Sequence, residues 1–210
     1  MKLQLLPALS ALVFLTACGG SDKAATAAPE AASKDIAAAP EMATTPAAAP
    51  EATPAAFDLS TVAVSTATLA EFPYIVVPAG YEISDQKTLD LAAFPIWTGG
   101  GFLTVEGRVY MAQSKTPEGK TFSRVEFERG IENAVAAAGG VRIVRGEVPN
   151  EAFDTLPNDL KQDARLGMGS MYGNPFAAYV IRRADRTIWI QTVTDSNVGN
   201  WTIVDAPIAR

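Results

Sequence analysis

Apolar and polar residues follow two regular periods along the chain, and both lie in the part that begins near Phe57. Strict alternation runs from Phe102 to Met111 and predicts a strand, because successive side chains of a strand point to opposite faces. Its apolar face comprises Leu103, Val105, Gly107, Val109 and Met111. A glycine inside a strand indicates a bulge or a close backbone approach, and we expect one of these at Gly107.

A helical period follows between residues 123 and 138. Ser123 and Glu126 form a capping box at its start, and the glycine pair at 139–140 provides a C-terminal stop. One stripe is apolar and consists of Phe127, Ile131, Ala134, Val135 and Ala138. The other side carries interleaved charges, which we expect to be solvated and partly ion-paired rather than to form an acid–base pair: Arg124, Glu126, Glu128, Arg129 and Glu132.

Shorter apolar runs predict further strands, separated by turns rich in proline, glycine, asparagine and aspartate. The runs lie at residues 74–77, 81–84, 141–145, 176–183, 187–193 and 200–204, and residues 157–166 predict a short second helix. Short turns between consecutive strands favour antiparallel pairing. We therefore predict an α+β fold, in which a mostly antiparallel β-sheet carries one main amphipathic helix at about residues 123–138.

The first 17 residues have the pattern of a signal peptide. Lys2 supplies the positive charge that precedes the apolar region. The apolar stretch from Leu3 to Leu15 is too short to cross a ~30 Å hydrocarbon core as a helix. Thr16 and Ala17, which follow it, are small, as cleavage by a signal peptidase requires.

Cys18 is the only cysteine of the chain and follows this region directly. The motif Leu15-Thr-Ala-Cys18 resembles the lipobox of bacterial lipoproteins. The resemblance implies cleavage before Cys18, transfer of a diacylglyceryl group to its thiol and acylation of the new amino terminus. Because no aspartate follows Cys18, it also implies sorting to the outer membrane, with the protein facing the periplasm. The alternative is an ordinary secretory peptide whose cleavage happens to leave a cysteine.

Residues 18–56 form a segment rich in alanine and proline, in which the theme Ala-Ala-Pro-Glu recurs. No aromatic residue falls between Cys18 and Phe57, and the prolines interrupt any long helix. We predict a disordered tether that carries the lipidated Cys18 and has no chemistry of its own. The remaining residues, 57–210, are predicted to form a single α+β domain.

Composition removes several classes of chemistry from the predicted domain. The chain has no histidine and no cysteine after Cys18, which excludes thiolate catalysis, histidine general-base catalysis, and haem or zinc sites built on these residues. Carboxylate oxygens alone could bind a metal, but no EF-hand spacing occurs, and we expect no metal or other cofactor. With 17 basic and 23 acidic residues the net charge is −6, so a nucleic-acid partner is not expected.

Four short motifs lie between residues 105 and 140: Val105-Glu-Gly-Arg-Val109, Pro117-Glu-Gly-Lys120, Glu132-Asn-Ala134 and Ala138-Gly-Gly140. In this order they are similar to a module that precedes the peptidoglycan-binding domain in some OmpA-like outer-membrane proteins. The resemblance implies a place in the cell envelope. It carries over no catalytic residue.

Two glycine-rich segments contain the candidate binding residues. Gly167-Met-Gly-Ser-Met-Tyr-Gly173 lacks the Gly-Lys-Ser/Thr ending of a phosphate-binding loop, and its serine has no histidine to activate it. Three of its side chains are apolar for a loop, so we expect a mobile lid or a contact surface there. A tryptophan precedes the second flexible turn, Gly99-Gly-Gly101, where an aromatic residue is more often a core edge than a ligand platform. The tentative binding residues are Trp97, Met168, Met171 and Tyr172.

Three functional hypotheses follow. The first is a non-enzymatic lipoprotein, anchored in the outer membrane, whose domain binds another envelope protein or the cell-wall layer. The second is a small-ligand-binding periplasmic module, in which the glycine-rich loop closes over a cleft beside the helix. The third is a hydrolase, which would need two carboxylates brought by the fold to about 5–9.5 Å from each other.

Overall fold

The structure, a computed structural model, describes residues 57–208. The predicted signal peptide at 1–17, the predicted lipidation site Cys18 and the rest of the predicted tether to residue 56 lie outside the described residues. The strands are β1 Glu82–Trp97, β2 Phe102–Lys115, β3 Val141–Gly146, β4 Phe176–Arg182, β5 Arg186–Thr194 and β6 Gly199–Pro207. The helices are α1 Arg124–Ala137, α2 Asn150–Asp154, α3 Asn158–Asp163 and α4 Arg165–Met168, and a single 3-10 turn spans Leu59–Thr61.

The six strands of this range form one antiparallel sheet in the order β1-β2-β6-β5-β4-β3. Consecutive strands β4, β5 and β6 are neighbours, as their short turns predict. The predicted α+β fold, a mostly antiparallel sheet with one main helix, is confirmed.

The main helix α1 forms where the capping box and the apolar stripe predict it. The Ser123 hydroxyl accepts a hydrogen bond from the Glu126 backbone N–H at 3.3 Å, and Gly139 adopts a left-handed φ of +74° after the last turn. Phe127 and Ile131 are fully buried. We call the side of the sheet that α1 covers the α1 face.

The core of the α1 face is formed by side chains from the sheet, from α1 and from the irregular segment 65–81. Tyr81 packs edge-on against Phe127, with ring centroids 5.2 Å apart. Trp201 of β6 is fully buried, and its indole Nε1 donates to Ser114 Oγ at 3.1 Å. Tyr81 and Trp201 are therefore both packed and hydrogen-bonded, since the Tyr81 hydroxyl donates to the Ser123 carbonyl at 2.8 Å.

The opposite side of the sheet, which we call the α4 face, is covered by α2, α3, α4 and the segment that begins at Phe57. Phe57 meets Trp189 of β5 at 5.9 Å between ring centroids, and Ala164, between α3 and α4, is almost fully buried. Because both faces are covered, β4, β5 and β6 are buried on both sides. The predicted single helix at 157–166 is in fact α3 and α4, which are separated at Ala164, and α2 was not predicted.

One predicted strand is wrong. Residues 74 and 75 form a bend and residues 76 and 77 are irregular, because Tyr74 has a φ of +70°, which interrupts an extended strand. The Tyr74 N–H donates to the Glu71 carbonyl and the Ile75 N–H to the Pro73 carbonyl, both at 2.8 Å, so these groups pair locally rather than with a neighbouring strand.

The extended piece predicted at 81–84 is the beginning of a much longer strand, β1. The hairpin of β1 and β2 bends at a register shift between Leu89 and Ala92. Ala92 pairs with Gly107, where an added Cβ would lie 2.3 Å from the carbonyl oxygen of Asp205. The close backbone approach predicted at Gly107 is confirmed. The bend brings the tip of the hairpin to β3, since a Cβ on Gly99 would lie 3.5 Å from Val144 Cγ2.

Candidate functional site

An open cleft of about 580 Å³ lies on the α4 face. It is bounded by the paired ends of β1, β2 and β6, by the segment after α4 and by the β5–β6 turn. We call it the Tyr172 cleft. Its main polar and aromatic lining residues are Asp85, Gln113, Phe153, Arg165, Ser170, Tyr172, Asp195 and Asn200.

The floor of the Tyr172 cleft is a row of polar side chains that crosses three strands. Asp85 of β1 pairs with Gln113 of β2, and Gln113 pairs with Asn200 of β6. Residues at directly opposite positions share a face, so all three side chains lie on the α4 face. Asn200 is only 5% exposed, and its Nδ2 donates to the Leu166 carbonyl at 2.7 Å.

The wall of the cleft is the exposed ring of Tyr172, which is 47% exposed. Its hydroxyl donates to Asp154 Oδ1 at 2.6 Å, and its ring meets Phe153 of α2 edge-on at 4.7 Å. The hydrogen bond to the Asp154 carboxylate raises the pKa of Tyr172, because it favours the protonated phenol. Tyr172 is thus held by two contacts while its ring faces solvent.

The other tentative binding residues have structural positions. Met168 and Met171 are each 1% exposed and belong to the core of the α4 face. Trp97, 6% exposed, packs against Phe102 at 5.1 Å at the tip of the β1–β2 hairpin and is not brought to the cleft. Of the four, Tyr172 alone offers an exposed side chain to the Tyr172 cleft.

The glycine-rich segment does not form the loop beside α1 that the second hypothesis describes. Its first residues continue α4, and it lies on the face opposite to α1. Gly167 rests directly on β6, since an added Cβ would lie 1.8 Å from Thr202 Oγ1. Gly167, Met168 and Met171 are buried in the core of the α4 face, so the segment is fixed to the sheet at these three residues.

Charges of opposite sign line the Tyr172 cleft. Asp85 and Asp195 stand on the sheet side, and the exposed Arg165 stands on the helix side. Asp195 also closes the β5–β6 turn, where its Oδ1 accepts hydrogen bonds from the backbone N–H groups of Asn197 at 2.6 Å and Val198 at 2.9 Å. The cleft therefore has an acidic end on the sheet and a basic rim on α4.

A second cavity of about 730 Å³ continues the cleft along the short helices. The two share Phe153, Arg165 and Gly169. Its own polar lining comes from Asn158, Lys161 and Gln162. Lys161 Nζ lies 5.1 Å from the Phe153 ring centroid, so the basic character of the α4 rim extends into this cavity.

The charged face of α1 is partly ion-paired, as predicted, but it is not solvated throughout. Glu128 is buried, where its Oε1 accepts from Thr194 Oγ1 at 2.7 Å and its Oε2 pairs with Arg145. Glu132 pairs with Arg142 of the same strand, β3. These contacts fasten α1 to β3 and β5, which is a structural role.

Three fully buried side-chain atoms of the α4 face have no hydrogen-bond partner among residues 57–208: Gln191 Nε2, Gln191 Oε1 and Thr202 Oγ1. Gln191 and Thr202 are directly opposite each other on β5 and β6, one row away from Asn200 and beneath α4. The polar floor of the cleft is therefore followed by a second polar row under the helix.

Neither a metal cluster nor a membrane-spanning helix is found in the described residues. No group of three or more Asp or Glu side chains that could hold a metal ion occurs between Phe57 and Ile208. No helix in that range is long and apolar enough to cross a membrane.

No protein-family model and no curated protein matches this chain. The site must therefore carry the functional argument by its own geometry. Asp85, Asn200, Asp195 and Arg165 were not predicted as site residues, because they lie on four different elements and only the sheet register brings the first two together.

Proposed function

We propose that the protein is a lipoprotein anchored in the outer membrane through Cys18, whose domain binds a component of the cell envelope in the Tyr172 cleft and has no enzymatic activity. The observation that carries the binding site is the exposed Tyr172 ring, fixed by Asp154 and Phe153 at the wall of a cleft with a polar floor. A rigid aromatic residue beside hydrogen-bonding groups is a frequent feature of binding surfaces.

The lipobox motif supports the anchor. Three acyl chains, each worth ~0.8 kcal/mol per buried CH₂, would hold the protein in the membrane essentially permanently. Extended as polyproline II, residues 19–56 would reach on the order of 100 Å, so the domain could meet partners well away from the membrane surface.

The contacts of the cleft favour binding over hydrolysis. A carboxylate pair for hydrolysis would have to come from Asp85 and Asp195, the two acidic residues that line the cleft. Asp195 already accepts two backbone N–H groups of its own turn, which gives it a structural role. Asp85 is exposed on the edge strand, where water rather than an apolar pocket surrounds its carboxylate.

The binding claim is tested by photo-crosslinking in living cells. A photoreactive amino acid at position 172 should give a discrete crosslinked product, whereas the same group at Val125, which is 56% exposed on α1, should give none. Equal products from both positions, or none from position 172, would remove the assignment of the Tyr172 cleft as the binding site.

The anchoring claim is tested separately by metabolic labelling with a radioactive fatty acid. Cys18→Ser should abolish labelling and leave the precursor uncleaved, because the thiol is the site of acyl transfer. Ser21→Ala, three residues further along the tether, should be labelled as the unmodified protein is. If label survives in Cys18→Ser, the protein is not anchored in this way.

A free small ligand is the second candidate, and the size of the cleft favours it. A volume of about 580 Å³ lies within the range of small-molecule sites. A ligand that binds the folded state stabilises it by RT ln(1 + [L]/Kd), so the unfolding temperature rises with ligand concentration. A thermal-shift screen with envelope metabolites should then give concentration-dependent stabilisation that Tyr172→Ala removes and Val125→Ala leaves in place.

A further inference from the structure

The sheet end of the Tyr172 cleft presents hydrogen-bond acceptors. Asn200 Nδ2 is engaged by the Leu166 carbonyl, which turns Oδ1 of this nearly buried side chain toward the cleft that it lines. Within residues 57–208 that oxygen accepts no hydrogen bond. Oδ1 is not one of the buried atoms without a partner on this face, so it is an accessible acceptor that a ligand can use.

Two negatively charged side chains line the same end of the cleft. Asp85 occupies the same row of the sheet, one strand beyond Gln113, and its carboxylate makes no ion pair in the described part of the chain. Asp195 lines the cleft from the β5–β6 turn and keeps Oδ2 available after Oδ1 has accepted its two backbone donors. Two carboxylates and an amide oxygen at one end of a cleft suit a group that carries both a positive charge and several N–H donors, such as an ammonium group.

The helix end has the opposite character. Arg165 at the start of α4 is exposed, lines both the cleft and its continuation, and pairs with no carboxylate between residues 57 and 208. Lys161 lines the continuation as well. A guanidinium group matches the geometry of a carboxylate with two parallel N–H groups.

We infer that the Tyr172 cleft binds small zwitterionic peptides, with the amino group at Asp85, Asn200 and Asp195 and the carboxylate at Arg165. The exposed ring of Tyr172 covers the apolar middle of such a ligand. This inference rests on the proposed function, because it names the ligand class of the same cleft.

The test is calorimetric titration of the purified full-length protein with trialanine and two blocked forms, N-acetyl-trialanine and trialanine amide. Trialanine should bind saturably below about 10 mM. Loss of either charge should weaken binding about tenfold, because each removes a charge-assisted contact. Acetylation removes the contact to the acidic end, and amidation removes the contact to Arg165.

Two variants with matched controls assign the ends. Asp85→Asn should weaken the binding of trialanine about tenfold and leave the binding of N-acetyl-trialanine unchanged. Arg165→Gln should also weaken the binding of trialanine about tenfold, but leave the binding of trialanine amide unchanged. Asp90→Asn on the same strand and Arg129→Gln on α1 are exposed controls and should bind trialanine as the unmodified protein does.

Three results would overturn the inference: no saturable binding of trialanine, equal binding of all three peptides, or weakening by the control variants. In each case a crosslink from position 172 would still support the proposed function, so the two failures are distinguishable.

Discussion

The two faces of the sheet are covered in different ways. The α1 face has one helix of 14 residues, capped by Ser123 and ended at Gly139, above a set of interlocking rings. The α4 face has three helices of four to six residues. Their N-cap residues are Pro149, Pro157 and Ala164, and none of these side chains caps its helix with a hydrogen bond. It also has the unpartnered polar atoms of Gln191 and Thr202 and the open cleft.

The comparison indicates a division of roles between the faces. A helix shorter than about 12 residues is marginal in water, so α2, α3 and α4 depend on the sheet for their structure, whereas α1 adds its own local signals. Binding sites are commonly drawn from the less stable parts of a fold. We therefore expect substitutions on the α1 face to change stability and those in the Tyr172 cleft to change binding.

The largest effect is expected from Phe127→Ala on the α1 face. The ring is fully buried and packs against Tyr81 at 5.2 Å and Phe122 at 5.7 Å, so its removal should lower the free energy of unfolding by about 3–5 kcal/mol. Urea denaturation measures this loss. Val125→Ala, on the exposed side of the same helix, should change the value by less than about 0.5 kcal/mol; equal losses would show that the α1 face is not the main source of stability.

A smaller loss, with a change in the cleft, is expected from Gly167→Ala. The new methyl group would lie 1.8 Å from Thr202 Oγ1 and 2.9 Å from Met111 Cγ, so α4 must move off the sheet. Overpacking of this kind lowers the free energy of unfolding by about 1–3 kcal/mol. Urea denaturation measures this loss, and Gly101→Ala is the control, because an added Cβ there meets no atom within 4 Å. An unchanged free energy of unfolding in Gly167→Ala would mean that α4 does not pack directly on β6.

The stability contributed by the α1 face should also depend on pH. Burial, with the nearby Glu132 carboxylate as the next cause, raises the pKa of Tyr179 to about 12. Because the folded state holds this proton more tightly than the unfolded chain, the stabilisation is complete below pH 10 and is lost as the pH rises through about 12. The loss should be on the order of 2 kcal/mol.

Tyr179→Phe should remove this component, so the difference in unfolding free energy between the two proteins should shrink between pH 9 and pH 12. The comparison uses urea denaturation at each pH. A difference that stays constant over the range would contradict the assignment of the shift to Tyr179.

The smallest effect is a gain in stability on the α4 face. Gln191 is fully buried, and neither atom of its amide has a partner in residues 57–208. Replacing it by leucine removes two unsatisfied polar atoms at similar volume, which should raise the free energy of unfolding by about 1 kcal/mol. In a chain of this length such a gain raises Tm by about 2–4 °C, which calorimetry detects. A fall in Tm would show that the amide is satisfied in solution.

The better-predicted part of the fold is the part with local signals. The capping pair Ser123 and Glu126 and the stripe around Ile131 are close in sequence and define α1 without tertiary information. The sequence predicts only a short extended piece at the start of the edge strand β1, because the first half of this strand is exposed and lacks an apolar face. The apolar run at 74–77 was misassigned because nothing in it reveals the positive φ of Tyr74.

The candidate site was less predictable for a related reason. Met168 and Met171 lie among glycines, which indicates a loop, but the sheet beneath them is apolar and buries both side chains. Tyr172 is exposed because Asp154 and Phe153 of α2, a helix that was not predicted, hold it outward. The polar floor of the cleft depends on the register of β1, β2 and β6, which is a tertiary property.

Hydrogen exchange measured by mass spectrometry can compare both faces in one experiment, using the protein in isolated cell envelopes and the purified protein in detergent. We expect the envelope to slow exchange at residues 165–172 and 195–200, which border the Tyr172 cleft, and to leave residues 124–137 of α1 unchanged. Slower exchange in α1 with no change around the cleft would contradict the division of roles between the two faces.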